Sequence, residues 1–147
     1  MRIRMAALAL AWGLSMAGSL TAQTGYFGEM VKDAKTRITE ISADRLAALR
    51  KEDPSLVVVD VREDTEWERG RIPGAIHVGR GVLEPRIEAR VPDKATPVVV
   101  YCQLGWRSAV AADVLMKMGY KRVFSLAGGI AAYAAGGLPV DNAGPAK

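Results

Sequence analysis

The chain has 147 residues, enough for one domain with its own core. Half of them are apolar and 24% charged, as in a water-soluble globule. A formal net charge of +4 without a long basic run argues against nucleic acid as a partner. One Cys and one His can supply neither a zinc site nor an intramolecular disulfide.

Arg2 and Arg4 precede an apolar stretch from Met5 to about Leu20, and small residues follow at Ala17-Gly18-Ser19-Leu20-Thr21-Ala22. That is the order of a secretory signal peptide over residues 1–22, with cleavage after Ala22 and Ser19 as the second choice. The apolar stretch falls short of the roughly 18–20 residues that span a bilayer. The expectation is export to the periplasm and no stable membrane association once the signal is cut, an uncleaved anchor being the alternative. No cysteine lies nearby to carry a lipid. Cleavage removes two arginines and no acid, leaving 18 basic and 16 acidic residues, a mild bias toward small anions.

Residues 23–35 read as an N-terminal extension in which Tyr26-Phe27-Gly28-Glu29-Met30-Val31 starts a short helix. A domain over residues 36–141 follows. Arg37 to Ile41 alternates as a short strand, and Ser42 is an N-cap for a helix with Leu46, Ala47 and Leu49 on one face. Asp53-Pro54 ends that helix. Leu56-Val57-Val58-Val59-Asp60-Val61 is a continuous apolar run, as in a parallel strand buried on both faces. Residues 62–69 read as a mixed-charge solvated face, and Gly70 to Gly74 as a turn. Ala75-Ile76-His77-Val78 is another short strand, and Leu83 to Ala89 an amphipathic piece. Pro97 to Tyr101 is the second buried strand. Apolar residues at 110, 111, 114, 115 and 118 make a helix from Ser108 to Met118, with Gly119 as its C′ residue. Arg122 to Leu126 is a strand, and Gly128-Gly129 turns into an Ala-rich helix. Gly136 to Val140 closes the domain, and residues 142–147 are a tail. The alternation predicts an α/β fold with a mainly parallel central sheet flanked by helices.

The chemistry concentrates at the one cysteine. Cys102 follows the second buried strand and opens the helix after it, in Cys102-Gln103-Leu104-Gly105-Trp106-Arg107-Ser108. Unpaired N–H groups and the positive end of the helix dipole favour an anion there. Gly105 lets the loop curl so that its amides point inward as a nest, and Arg107 adds a permanent charge with fork-shaped donors. All three favour the thiolate. Acidity alone contributes little. A thiol of pKa about 8.5 is roughly 3% thiolate at pH 7, and a drop to about 6 raises that roughly thirtyfold. Intrinsic nucleophilicity falls about tenfold over the same change. The cradle therefore acts mainly by capturing an anionic substrate and stabilising charge on the product sulfur.

Cys-x-x-Gly-x-Arg-Ser over Cys102–Ser108 resembles the active-site loop of the rhodanese family of sulfurtransferases. Asp60-Val61-Arg62, Glu66-Trp67, Gly70 and Ile72-Pro73-Gly74-Ala75 resemble the family's first signature. Leu126-Ala127-Gly128-Gly129 through Gly137-Leu138-Pro139-Val140 resembles its closing one, and Ile38 to Leu49 its opening strand and helix. The resemblance spans about residues 36–140. It implies the three-layer rhodanese-like fold of the single-domain, exported members. It also implies that the Cys102 thiolate takes the sulfane sulfur of thiosulfate or a related donor as a persulfide. A thiophilic acceptor then removes that sulfur: cyanide in an assay, a thiol or a protein in the cell. In this reading the amides of Gln103, Leu104, Gly105, Trp106 and Arg107 hold the persulfide and Arg107 binds the substrate anion. Asp60, Arg62 and Ser108 support the loop, and no metal or organic cofactor is needed.

Departures are Arg71 and Tyr133, where the family often has His and Trp, and Gln103 and Trp106, where many members have Arg and Gly. The missing loop arginine at Gln103 makes the pocket less cationic, Trp106 narrows its mouth or contacts a partner, and together they put donor preference in question. His77 reads as structural, because neither a Ser nor a second acid shows triad spacing with it. Two rival functions are weighed. One is a phosphatase- or arsenate-reductase-like enzyme, whose loops resemble Cys-x5-Arg, one residue longer than here. The other is a non-enzymatic periplasmic sulfur carrier or partner-binding module that hands its persulfide on within a complex.

Overall fold

The computed structural model describes residues 25–142. The expected signal peptide at 1–22 and the tail after residue 142 lie outside the described residues. Five strands form one parallel sheet in the order β1-β5-β4-β2-β3. They are β1 (Thr39–Ile41), β2 (Val57–Asp60), β3 (Ile76–His77), β4 (Val98–Tyr101) and β5 (Val123–Leu126). Six α-helices accompany them: α1 (Tyr26–Lys35), α2 (Ala43–Glu52), α3 (Asp64–Arg69), α4 (Leu83–Arg90), α5 (Trp106–Lys117) and α6 (Gly129–Ala135). A single 3-10 turn, Arg80–Val82, leads into α4. Among the described residues no helix is long and apolar enough to cross a membrane.

The valine runs are explained by burial on both sides of the sheet. Val98 and Val100 of β4 pack with Leu83, Ile87, Ala111, Ala112 and Leu115 from α4 and α5. Val99 and Tyr101 face the other way, onto Leu46 and Leu49 of α2 and Ile130 and Tyr133 of α6. A central parallel strand has no solvent face to present, so its side chains need not alternate. The result is three layers.

Local signals hold where one residue decides them. The Ser42 side chain accepts the Arg45 N–H at 3.1 Å, capping α2. Gly119, at φ +94°, ends α5 in a Schellman motif. Its N–H donates to the Met116 carbonyl (3.0 Å), and that of Tyr120 to the Leu115 carbonyl (3.1 Å). Two expectations need correction. Ala47 is exposed, since α2 turns only Leu46 and Leu49 fully inward. The solvated face expected at residues 62–69 is split: Glu63, Asp64, Glu68 and Arg69 are exposed, Arg62 is buried and Glu66 is half-buried.

The sheet order places the site. β2 connects through α3 to β3 on one side, while β4 connects through α5 to β5 on the other. Adjacent strands β2 and β4 thus send their connections in opposite directions. Beyond the carboxyl ends of such a pair lies the crevice where open α/β sheets bind ligands.

Candidate active site

Cys102 leaves the carboxyl end of β4 and is 1% exposed. Its Sγ accepts the Gly105 N–H at 3.2 Å, so the chain curls back over the sulfur within three residues. That curl needs Gly105 at φ +90°, where a Cβ would sit 3.1 Å from the Gly128 nitrogen. Gly105 is also the N-cap of α5, and it has no side chain to cap with. Ala109 is the first residue whose N–H enters the helix ladder, to the Gly105 carbonyl at 3.2 Å. The N–H groups of Trp106, Arg107 and Ser108 ahead of it have no side-chain cap and are free to take an anion.

The other side of the loop is held by α6. The Ile130 N–H donates to the Cys102 carbonyl (2.9 Å) and the Ala131 N–H to the Gln103 carbonyl (3.1 Å). This approach requires Gly129, at φ +60°. A Cβ there would overlap the Cys102 carbonyl oxygen and lie 2.6 Å from that of Gln103. Two carbonyls are thereby turned toward α6, which leaves the amide side of the loop facing the crevice.

Asp60 and Arg62 form a buried brace at the end of β2. Both Asp60 oxygens take the Arg62 Nε at 3.0 Å, and Oδ2 takes Nη2 at 2.7 Å. The Arg62 backbone N–H donates to Asp60 Oδ1 at 2.9 Å. Nη2 also reaches the Gly70 carbonyl (2.6 Å), and Nη1 the Gln103 side-chain oxygen (3.4 Å). Burial opposes the Arg62 charge, but Asp60 more than compensates and holds its pKa above the ordinary value. Ser108 is fully buried and accepts a hydrogen bond from Ser125 of β5 at 3.0 Å, tying the first turn of α5 to the sheet. His77 stacks on Trp67 (centroids 5.0 Å apart), with Nε2 2.8 Å from the Arg62 carbonyl.

Two contributors were not read from the sequence. Arg107 does not stand free: Nη1 and Nη2 donate to the two Glu66 oxygens, each at 2.7 Å. The guanidinium holds the Glu66 carboxyl down at about 2, against an ordinary value of 4.5, and Glu66 raises Arg107 in turn. The second is Phe27 of α1. A pocket of about 190 Å³ is lined by Phe27, Cys102, Gln103, Leu104, Trp106 and Arg107. A larger cavity of about 650 Å³ lies among Asp64, His77, Arg86 and Arg90, but the Cys102 thiol lines only the smaller one, which is therefore the candidate site. Spacing carries a signal only for Glu66, within the Glu66-Trp67 pair of the first signature.

Cys102, the curled loop after it and the turn into α6 therefore meet at one crevice. The Rhodanese-like domain family matches residues 42–136. The chain belongs to the rhodanese family. A sulfurtransferase of Allochromatium vinosum is 36% identical over 103 residues, 70% of this chain and 94% of that one. Thiosulfate sulfurtransferase PspE of Escherichia coli is 38% identical over 70 residues, 48% of this chain and 67% of its own. Among solved structures, a protein of unknown function, possible tyrosine phosphatase, from Rhodopseudomonas palustris superposes with a TM-score of 0.72. It is 31% identical and covers 80% of this chain and 96% of its own. Sulfur transfer is the activity named for both of these curated relatives.

Proposed function

We propose that this rhodanese domain is an exported, periplasmic thiosulfate sulfurtransferase. It moves sulfane sulfur from thiosulfate or a persulfide donor to a thiol or protein acceptor through a Cys102 persulfide. The observation that carries this reading is the Gly105 N–H on Cys102 Sγ at the uncapped start of α5. A backbone donor already on the sulfur stabilises charge there without reorganising during the reaction. The thiolate attacks the outer sulfur of thiosulfate. A Cys102 sulfur–sulfur bond forms, the donor's own breaks, and sulfite leaves with the bonding pair. The terminal sulfur of the persulfide then lies among the amides of the loop and is taken by the acceptor.

A phosphatase reading is weaker on loop length. Four residues separate Cys102 from Arg107, and that short ring suits one sulfur better than a tetrahedral phosphoryl group.

The test is intact-mass analysis after thiosulfate treatment, beside Cys102→Ser, with transfer to cyanide followed in parallel. The expected result is a gain of one sulfur in the unsubstituted protein alone, with turnover. A gain without turnover makes the protein a sulfur carrier. No gain with thiosulfate, persulfide or polysulfide overturns the reading.

A further inference from the structure

The family match begins at residue 42, so α1 lies outside it. α1 is nevertheless fastened to the helix that carries the active-site loop. Val31 and Ala34 pack on Ala109 and Val110 of α5. Arg37, just past α1, donates to Asp113 of α5 (2.8 Å) and to Asp33 of α1 (2.9 Å). This docking delivers Phe27 to the Cys102 pocket, which Leu104 and Trp106 also line. The three apolar side chains are 45%, 56% and 41% exposed, so they rim one nucleophile while still largely in contact with water. Clustered exposed apolar side chains at a concave site mark a surface that an apolar group of a ligand covers.

Charge makes an independent second observation. Arg107 is the one cation among the described residues lining the pocket, and each of its terminal nitrogens donates to Glu66. A doubly charged donor meets backbone amides there and a guanidinium whose charge the Glu66 carboxylate already offsets. Size is the third constraint: about 190 Å³ is below the roughly 300–1,000 Å³ of drug-sized ligand sites. It suits a sulfane sulfur with one compact apolar group.

We infer that Phe27, with Leu104 and Trp106, is a specificity-determining residue. The three select organic sulfane-sulfur donors, singly charged thiosulfonates or persulfides bearing a compact apolar group, over the thiosulfate dianion. The inference rests on the sulfurtransferase reading and narrows its donor. With a thiosulfonate, the Cys102 thiolate bonds to the sulfane sulfur and the bond from that sulfur to the sulfonyl sulfur breaks. The pair leaves with an organic sulfinate, and no proton or oxidant is consumed. With a persulfide, the leaving group is the organic thiolate.

Three donors that carry the same sulfane sulfur separate charge from apolar contact: thiosulfate, methanethiosulfonate and benzenethiosulfonate. Rates of Cys102 persulfuration are measured by mass on the isolated chain and divided by each donor's rate with a free thiolate. The expected order is benzene-, then methanethiosulfonate, then thiosulfate, with about tenfold between phenyl and methyl, the size of effect a hydrophobic pocket gives. Phe27→Ala should lower the phenyl-to-methyl ratio about fivefold, and Phe27→Leu should recover part of it. A merely structural role would slow all three donors together and leave that ratio unmoved. An unmoved ratio in Phe27→Ala, or thiosulfate leading the normalised series, overturns the inference while the sulfurtransferase stands. No sulfur gain from any donor overturns both.

Discussion

Arg62 and Arg107 each grip a carboxylate with more than one N–H, but they do so at different depths. The Arg62–Asp60 pair is 4% and 0% exposed and spends its remaining donors on the Gly70 carbonyl and Gln103. The Arg107–Glu66 pair is 30% and 24% exposed, and its arginine lines the pocket. In the buried pair both charges have lost their water, so neither can change partner without leaving the other stranded. In the outer pair solvent reaches both groups, so losing either partner costs far less than in the buried pair. The first therefore fixes where the ends of β2 and the Cys102 loop sit, and the second sets the charge at the pocket beside Cys102.

The hardest way to break this contrast is Asp60→Ala. It strands a guanidinium that is 4% exposed and should cost about 3–5 kcal/mol of unfolding free energy, read by urea denaturation. A loss below about 1 kcal/mol would place Asp60 level with a surface pair and erase the distinction.

Next comes the support on the other side of the loop. Gly129→Ala places a Cβ against the carbonyls of Cys102 and Gln103 at φ +60°. Overpacking against backbone, together with left-handed strain, should cost about 2–3 kcal/mol and slow persulfuration by displacing the loop. Gly119→Ala is the control, because it shares a positive φ of +94° but meets nothing within 4 Å. It should cost only the backbone term of about 1–2 kcal/mol and leave persulfuration alone. Equal losses in the two variants would mean that contact with the loop adds nothing.

The same contrast in depth governs what could be read from the sequence. β4 and β2 were legible because a strand buried on both faces needs an uninterrupted apolar run, and Val98-Val99-Val100 supplies one. The Cys102 loop was legible because Gly105 and Arg107 stand at fixed distances from the thiol along the chain. The start of α5 was read two residues late, since Trp106 and Arg107 belong to both the loop and the helix. Glu66 looked like one charge in a solvated run because its partner lies 41 residues away, and nothing local reports such a contact. Phe27 was hidden for the same reason. A helix before the domain shows its periodicity, but not which pocket its exposed side will rim.

The smallest expected effect tests the outer pair most directly. The Glu66 carboxyl titrates at about 2 in the folded chain against an ordinary 4.5, so folding favours its ionised form. Its contribution to stability is therefore complete above the ordinary carboxylate range and is lost as pH falls from about 4.5 toward about 2. Glu66→Gln removes that titration. The gap in unfolding free energy between parent and variant should be constant from pH 6 to 8 and narrow in acid. Because the pair is partly solvated, the whole gap should be about 1 kcal/mol or less. The same substitution releases Arg107, so use of thiosulfate should rise relative to the singly charged donors. A flat gap with unchanged donor preference would mean that Arg107 is already free in solution, and the pocket would then be as cationic as its sequence first suggested.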